Sequence, residues 1–312
     1  MNTEEYFLIE DTNVNSENIR IPELDKKELD TIQEYIEFAR HIQEIDQLFH
    51  IYKVNLDNLL INYELMNNDN YYRKSNVLKE KDDGIVINAL VINYISSAKT
   101  LIESIDNFIK EKMGDEKYNT YKIDCLSRIY DERFSYRLLI HLRDFAQHGH
   151  LPVYISLDNK CSFDLDQILN TPHFKHNKKL EEEMKSIAFK IQKDFGDNPR
   201  IMFVRSIAEF EIAVLEIYDY FITDVILELK KLRKELDDLI DRRPNIIYKS
   251  KDSLDGFILY TMVDDNVHCM DPRQKTIEMV DNIKKDIKTE LESAKNEFKE
   301  IFRMKIVKET KK

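Results

Sequence analysis

Five glycines and six prolines in 312 residues restrict this chain more than any motif in it. Folds built from many strands need frequent turns, and turns draw on these two residues. A chain this poor in both is expected to form long helices joined by few loops. Hydrophobic residues make up 42% of it and charged residues 34%. That balance suits a globular protein with a heavily charged surface, not a disordered one. The length allows one large domain or two modest ones, with a core that needs no staples.

Apolar spacing supports the helical expectation. From about Leu24 to Met66, residues Ile32, Ile36, Phe38, Ile42, Ile45 and Phe49 recur mostly at three or four positions. From Ile85 to Gly114, Val91, Ile95, Ala98, Ile102, Ile105 and Ile109 step by 4, 3, 4, 3, 4, a seam for another helix. Gly114 stands where a helix C′ residue is expected. A further helix is expected from about Cys125 to His148, stopped by Gly149 and Pro152. Helices resume near Lys178, and Asn198-Pro199 suits another start before a dense apolar pattern from Ile201 to Ile240. Asp271-Pro272 opens a last charged helix to about Ile306.

Strand signals are few. Tyr6 to Ile9 reads as a short strand or a packed arm. Val153 to Ser156 and Cys161 to Asp164 flank a turn-like Leu157-Asp158-Asn159-Lys160 and suit a small hairpin. Ile246 to Tyr248 and Phe257 to Tyr260 are β-prone. Polar residues from Asn67 to Gly84 mark a boundary. The expected fold is therefore mainly α with small β elements. An N-terminal arm and helical extension covers 1–84, a helical bundle 85–240, and short strands plus a charged helix 241–312.

Several functions are disfavoured. Cys125, Cys161 and Cys269 form no CxxC pair, so a zinc ribbon or a thioredoxin-like site is not expected; reduced, mostly buried thiols are. Walker A, GxGxxG and GxSxG motifs are absent from the sequence. The acidic start lacks a signal-peptide pattern, and no stretch reads as approaching the roughly 20 apolar residues of a membrane span. The expectation is a cytoplasmic protein that does not engage membranes. A formal net charge of −12 argues against broad coating of nucleic acid but allows a small basic cleft.

One segment invites chemistry: Arg143-Asp144-Phe145-Ala146-Gln147-His148, at the end of an expected helix. On an ideal helix Arg143 and His148 are separated by about 7.5 Å of rise and roughly 140° of rotation, so they share a face only loosely. The long arginine and a cap position for the histidine relax that constraint. A helix C-terminus favours a protonated imidazole, and histidine suits proton transfer near neutral pH. A permanently charged guanidinium suits a phosphate oxygen.

The longer stretch from Phe134 to Pro152 resembles the HEPN superfamily (higher eukaryotes and prokaryotes nucleotide-binding) of bacterial toxins and phage-defence proteins. Arg143 and His148 match its Arg-x4-6-His motif, with a polar residue, Asp144, after the arginine. The resemblance covers roughly residues 85 to 240. It implies a HEPN-like bundle with metal-independent endoribonuclease activity, acting as a toxin or antiphage effector. It also implies a homodimer with a composite cleft, no cofactor, RNA as substrate, and an antitoxin or defence protein as a candidate partner. Arg143 would stabilise charge, His148 would act as acid or base, and Asp144 would orient one of them. His150, Lys99 and Glu103 are secondary candidates for holding substrate. Nucleotidylated relatives carry a tyrosine two residues after the histidine; here that residue is His150, which departs from that mode of control.

Other readings stand beside this one. The segment could belong to a non-catalytic helical module that binds a protein or RNA, with Arg143 and Asp144 as helix-end ion-pair residues and His148 as a cap. His141, His148 and His150, with His173 and His176, could suggest metal, but no HExxH or supporting acidic cluster accompanies them, so no metal is expected. Lys230-Lys231-Leu232-Arg233-Lys234 and Arg242-Arg243 could steer RNA, or form a solvated helix end with internal ion pairs.

Overall fold

The computed structural model describes residues 5–9, 25–66, 83–156, 160–171, 178–196, 198–241, 258–263, 266–270 and 276–309. The fold is mainly α with two small antiparallel sheets. The helices are α1 (Lys26–Met66), α2 (Asp83–Phe108), α3 (Asp115–Thr120), α4 (Arg128–Glu132), α5 (Phe134–Gln147), α6 (Leu165–Leu169), α7 (Lys178–Phe195), α8 (Phe203–Asp241) and α9 (Thr276–Glu309). Two π-helical stretches, Ile109–Met113 and Tyr121–Ser127, follow α2 and α3. The strands are β1 (Glu5–Ile9), β2 (Tyr154–Ile155), β3 (Cys161–Asp164), β4 (Arg200–Met202), β5 (Ile258–Val263) and β6 (Asn266–Met270).

The described chain forms two compact units. The first comprises Met1–Glu44 and Asp219–Ile287. Its helical core contains Tyr35 and Ile42 from α1, Phe221, Val225 and Leu229 from α8, and Val280 from α9. Its sheet has the order β1-β5-β6, with Phe7 opposite Tyr260 and Tyr260 opposite Cys269. Three cations of the basic run on α8, Lys230, Lys231 and Arg233, stand in ion pairs. Lys230 reaches Asp281 at 3.4 Å, Lys231 reaches Glu228 at 3.0 Å, and Arg233 donates to Asp237 at 2.9 Å. Arg242-Arg243, Ile246 to Tyr248, His173 and His176 lie outside the described residues.

The second unit comprises Ile45–Tyr218 and Lys288–Lys312 and carries every candidate site residue. α2 and α7 both pack on α5. The α2 seam is buried at Val91, Ile95, Ala98, Ile105 and Ile109, as its 3–4 spacing predicts. Aromatic rings fill the centre. Phe210 meets Tyr94 edge-on at 5.5 Å and stacks near Tyr136 at 5.9 Å. Tyr52 and Tyr94 share a buried hydroxyl–hydroxyl hydrogen bond of 3.2 Å. Burial pushes both phenols well above the ordinary tyrosine range, so they stay neutral.

Four expectations need correction. The helix expected from Cys125 to His148 is broken: after the π-helical stretch and α4, Arg133 turns extended (φ −114°, ψ 105°) and α5 begins afresh. The step of five between Ile129 and Phe134 is its trace in the sequence. Residues 115–120, left outside the expected helices, are helical. Arg200–Met202 forms a strand before α8, because its backbone pairs with β3 (Phe163 opposite Ile201) and extends the expected hairpin to three strands. Finally, Gly84–Met113 is long and apolar enough to cross a membrane, which the sequence expectation overlooked, although its seam is buried in this unit.

Candidate functional site

The site is built at the C-terminal end of α5, and α5 is fixed first at its other end. Arg133, the N-cap residue, supplies no side-chain cap. A carboxylate from α8 does that work instead: Glu209 accepts from the Ser135 amide at 3.2 Å and from the Ser135 hydroxyl. A negative group there also complements the helix dipole. One helical turn-pair further along α8, Glu216 accepts from Arg133 Nε at 3.2 Å and Nη2 at 2.8 Å, and pairs with Lys295 at 2.9 Å. Burial opposes ionisation of Glu216, but Lys295 and Arg133 outweigh it and hold its pKa below the usual carboxylate range.

Arg137 secures the break between α4 and α5. It is 3% exposed. Its Nη1 donates to the carbonyls of Tyr130 and of Asp131 (2.8 Å to the latter), which lie at the end of α4. Its Nε donates to Glu183 on α7 at 3.1 Å, and Nη2 donates to the same carboxylate. One guanidinium thus ties three helices, and its planar fork of donors is what makes this possible.

The C-terminal end closes in a Schellman arrangement. The Gly149 amide donates to the Ala146 carbonyl at 3.0 Å, and the His150 amide donates to the Phe145 carbonyl at 3.4 Å. Gly149 has φ +86°, the left-handed conformation this motif requires. The side-chain contact that usually accompanies it is present in aromatic form: the His150 ring stacks on Phe145 at 4.7 Å. His148 is the C-cap, exposed, with φ −86° and ψ 13°. Two residues thus receive distinct positions: His148 toward solvent, His150 against the buried Phe145.

Asp144 gathers the charges. Lys99, projecting from α2, donates to Asp144 Oδ1 at 3.3 Å, and Arg143 Nη1 lies 3.5 Å from the same oxygen. Glu103, one turn along α2, is 4.0 Å from the Lys99 ammonium. Asp144 and His148 are four residues apart, the spacing at which helix side chains are neighbours. Arg143 Nε is buried and makes no hydrogen bond among the described residues. The structure therefore brings Arg143, Asp144, Lys99 and Glu103 together, with His148 at the same helix end. His141 is held elsewhere, against the Tyr130 hydroxyl at 3.3 Å.

Residues with no signal in the linear sequence support this end. Asn88, 2% exposed, grips Val153 in both directions: its amide donates to the Val153 carbonyl at 3.0 Å, and its Oδ1 accepts from the Val153 amide at 2.8 Å. The segment that follows the motif is thereby pinned to α2. Ser135, Glu209 and Glu216 are likewise recognisable only once α5 and α8 are placed together. Among the described residues no group of three His, Cys, Asp or Glu side chains could hold a metal ion. Cys125 and Cys161 are buried free thiols, and burial pushes Cys161 up to about 12, far from a reactive thiolate.

Comparison with known protein families, curated proteins and solved structures finds no match to this chain.

Proposed function

We propose that the α5 end is a metal-independent ribonuclease centre of HEPN type, in a cytoplasmic toxin or antiphage effector that works as a homodimer. The observation that carries this reading is the state of Arg143. Its guanidinium is held at a capped helix end, touches Asp144 through one nitrogen, and keeps a buried Nε without an acceptor among the described residues. A phosphate oxygen would satisfy that donor. Lys99 adds a second cation on the same carboxylate.

The chemistry needs no metal. The 2′-hydroxyl of RNA attacks the adjacent phosphorus, the O2′–P bond forms and the P–O5′ bond breaks. The products are a 2′,3′-cyclic phosphate and a 5′-hydroxyl. His148 transfers one of the two protons involved, from the 2′-hydroxyl or to the leaving oxygen, and a second copy in a composite cleft supplies the other histidine. Arg143 stabilises charge on the phosphorane, and Asp144 keeps Arg143 and Lys99 aimed at it. Incubation with mixed RNA in EDTA tests the reading. Cleavage is expected to fall by about 10²–10⁴ in His148→Ala and about 10²–10³ in Arg143→Ala. Equal activity in wild type and both variants refutes it.

A second reading draws on the same cluster. Asp144 already contacts both Lys99 and Arg143, as it would in a purely structural helix-end ion cluster of a module that binds a protein or RNA. A folded His148→Ala protein that retains the full cellular phenotype would favour it.

A further inference from the structure

The second half of α1, within the second unit, carries two apolar seams. Tyr52, Leu56, Leu59 and Met66 are buried. Ile51, Val54, Asn58, Ile61 and Leu65 form the other, at steps of 3, 4, 3 and 4. At 100° per residue the second seam is centred about 140° around the helix from the first. Ile51 is 51% exposed, Val54 58% and Ile61 53%. Asn58 is exposed and Leu65 half-buried. The charged residues of this stretch, Lys53, Asp57 and Glu64, keep to a third face. A surface helix with one core usually shows one apolar stripe and a charged back; this one shows two stripes.

We infer that the outer seam pairs with the same seam of a second copy of this chain, as a short parallel two-stranded coiled coil. Ile51, Asn58 and Leu65 occupy a positions, and Val54 and Ile61 occupy d positions. Asn58 decides the occupant. A central asparagine facing an apolar partner would lose hydrogen bonds. Facing its own copy across a parallel pair, each amide has a donor and an acceptor opposite, the arrangement that fixes register in dimers. The flanks do not oppose self-pairing despite a net charge of −12. Position 50 of one copy faces position 55 of the other, histidine to asparagine, and position 57 faces 62, aspartate to asparagine; no like charges meet. The seam spans about 21 Å, only two heptads, which suits association in roughly the micromolar range. This surface stands apart from the ribonuclease reading, since none of its residues belongs to the α5 end.

Sedimentation of the full chain over a concentration range of about 1–200 μM, bracketing that affinity, tests it. The mass is expected to rise from one chain toward two. Val54→Lys with Ile61→Lys is expected to weaken association at least about 100-fold by placing like charges face to face. Both sites are more than half exposed, so the monomer keeps its circular dichroism and melting temperature. Asn58→Ile is expected to tighten association and admit larger oligomers. Asn58→Cys is expected to give a disulfide-linked dimer without reductant. A monomer at the highest concentration overturns the inference, as does a dimer indifferent to the double lysine substitution. Binding of wild type to phosphatidylcholine vesicles, lost in the double variant without any self-association, would assign the seam to a membrane and overturn it too. His148→Ala, sedimented in parallel, is expected to associate as wild type does, so the seam is tested without reference to the chemistry at α5.

Discussion

Two arginines six residues apart on α5 should respond to substitution in opposite ways. Arg137→Met keeps an unbranched side chain of similar reach but removes the charge and every donor. The Glu183 carboxylate and the carbonyls of Tyr130 and Asp131 then lose their shared partner. Breaking a buried ion pair by removing one member costs about 3–5 kcal/mol. Glu183 is 33% exposed and can recover part of its hydration, so the lower end applies, about 3 kcal/mol. With a urea m-value of about 3 kcal/mol/M, the midpoint of the transition should fall by about 1 M. Arg143→Met should behave differently. Its ion pair with Asp144 is long, at 3.5 Å, and its side chain is 28% exposed, so the midpoint should move by about 0.3 M or less. Urea titrations followed by circular dichroism and by tyrosine fluorescence supply the comparison. Equal midpoints for the two variants, or a larger loss for Arg143→Met, would refute the division into a structural and a reactive arginine.

Three further outcomes follow from the same geometry. Gly149→Ala should cost about 1–2 kcal/mol by thermal or urea unfolding; a Cβ there meets nothing within 4 Å, so the cost is backbone strain alone. Glu216, whose folded pKa lies below its unfolded value, contributes stability that is present above the unfolded carboxylate range and is lost as pH falls through the folded pKa. Glu216→Gln should therefore flatten part of the stability-against-pH slope on the acid side, and an unchanged slope would contradict the pairing with Arg133 and Lys295. Asp144→Asn should change stability by no more than about 1 kcal/mol, because the pairs are partly exposed, yet should lower RNA cleavage well beyond what that loss explains.

What the sequence discloses depends on how local the cause is. The seam of α2 and the long pattern of α8 are repeating features, and both are buried where the spacing places them. Gly149 was readable as a stop because left-handed backbone selects glycine at that point. The break at Arg133 was not, since apolar residues continue on either side of it and only the wider Ile129–Phe134 step hints at a change. β4 is three residues long and owes its existence to β3, nearly forty positions earlier, so no local pattern announces it. The same applies to the site. Arg143 and His148 are adjacent enough to be noticed, whereas the Lys99–Asp144 pair and the Asn88 grip on Val153 join residues brought together only by packing of α2 against α5.

The most direct test of the proposed chemistry is end-group analysis of RNA incubated with the protein in EDTA. The account predicts 5′-hydroxyl and 2′,3′-cyclic phosphate ends that appear with wild type and vanish with His148→Ala. Ends bearing a 5′-phosphate, a requirement for added divalent metal, or the same cleavage by wild type and His148→Ala would contradict it.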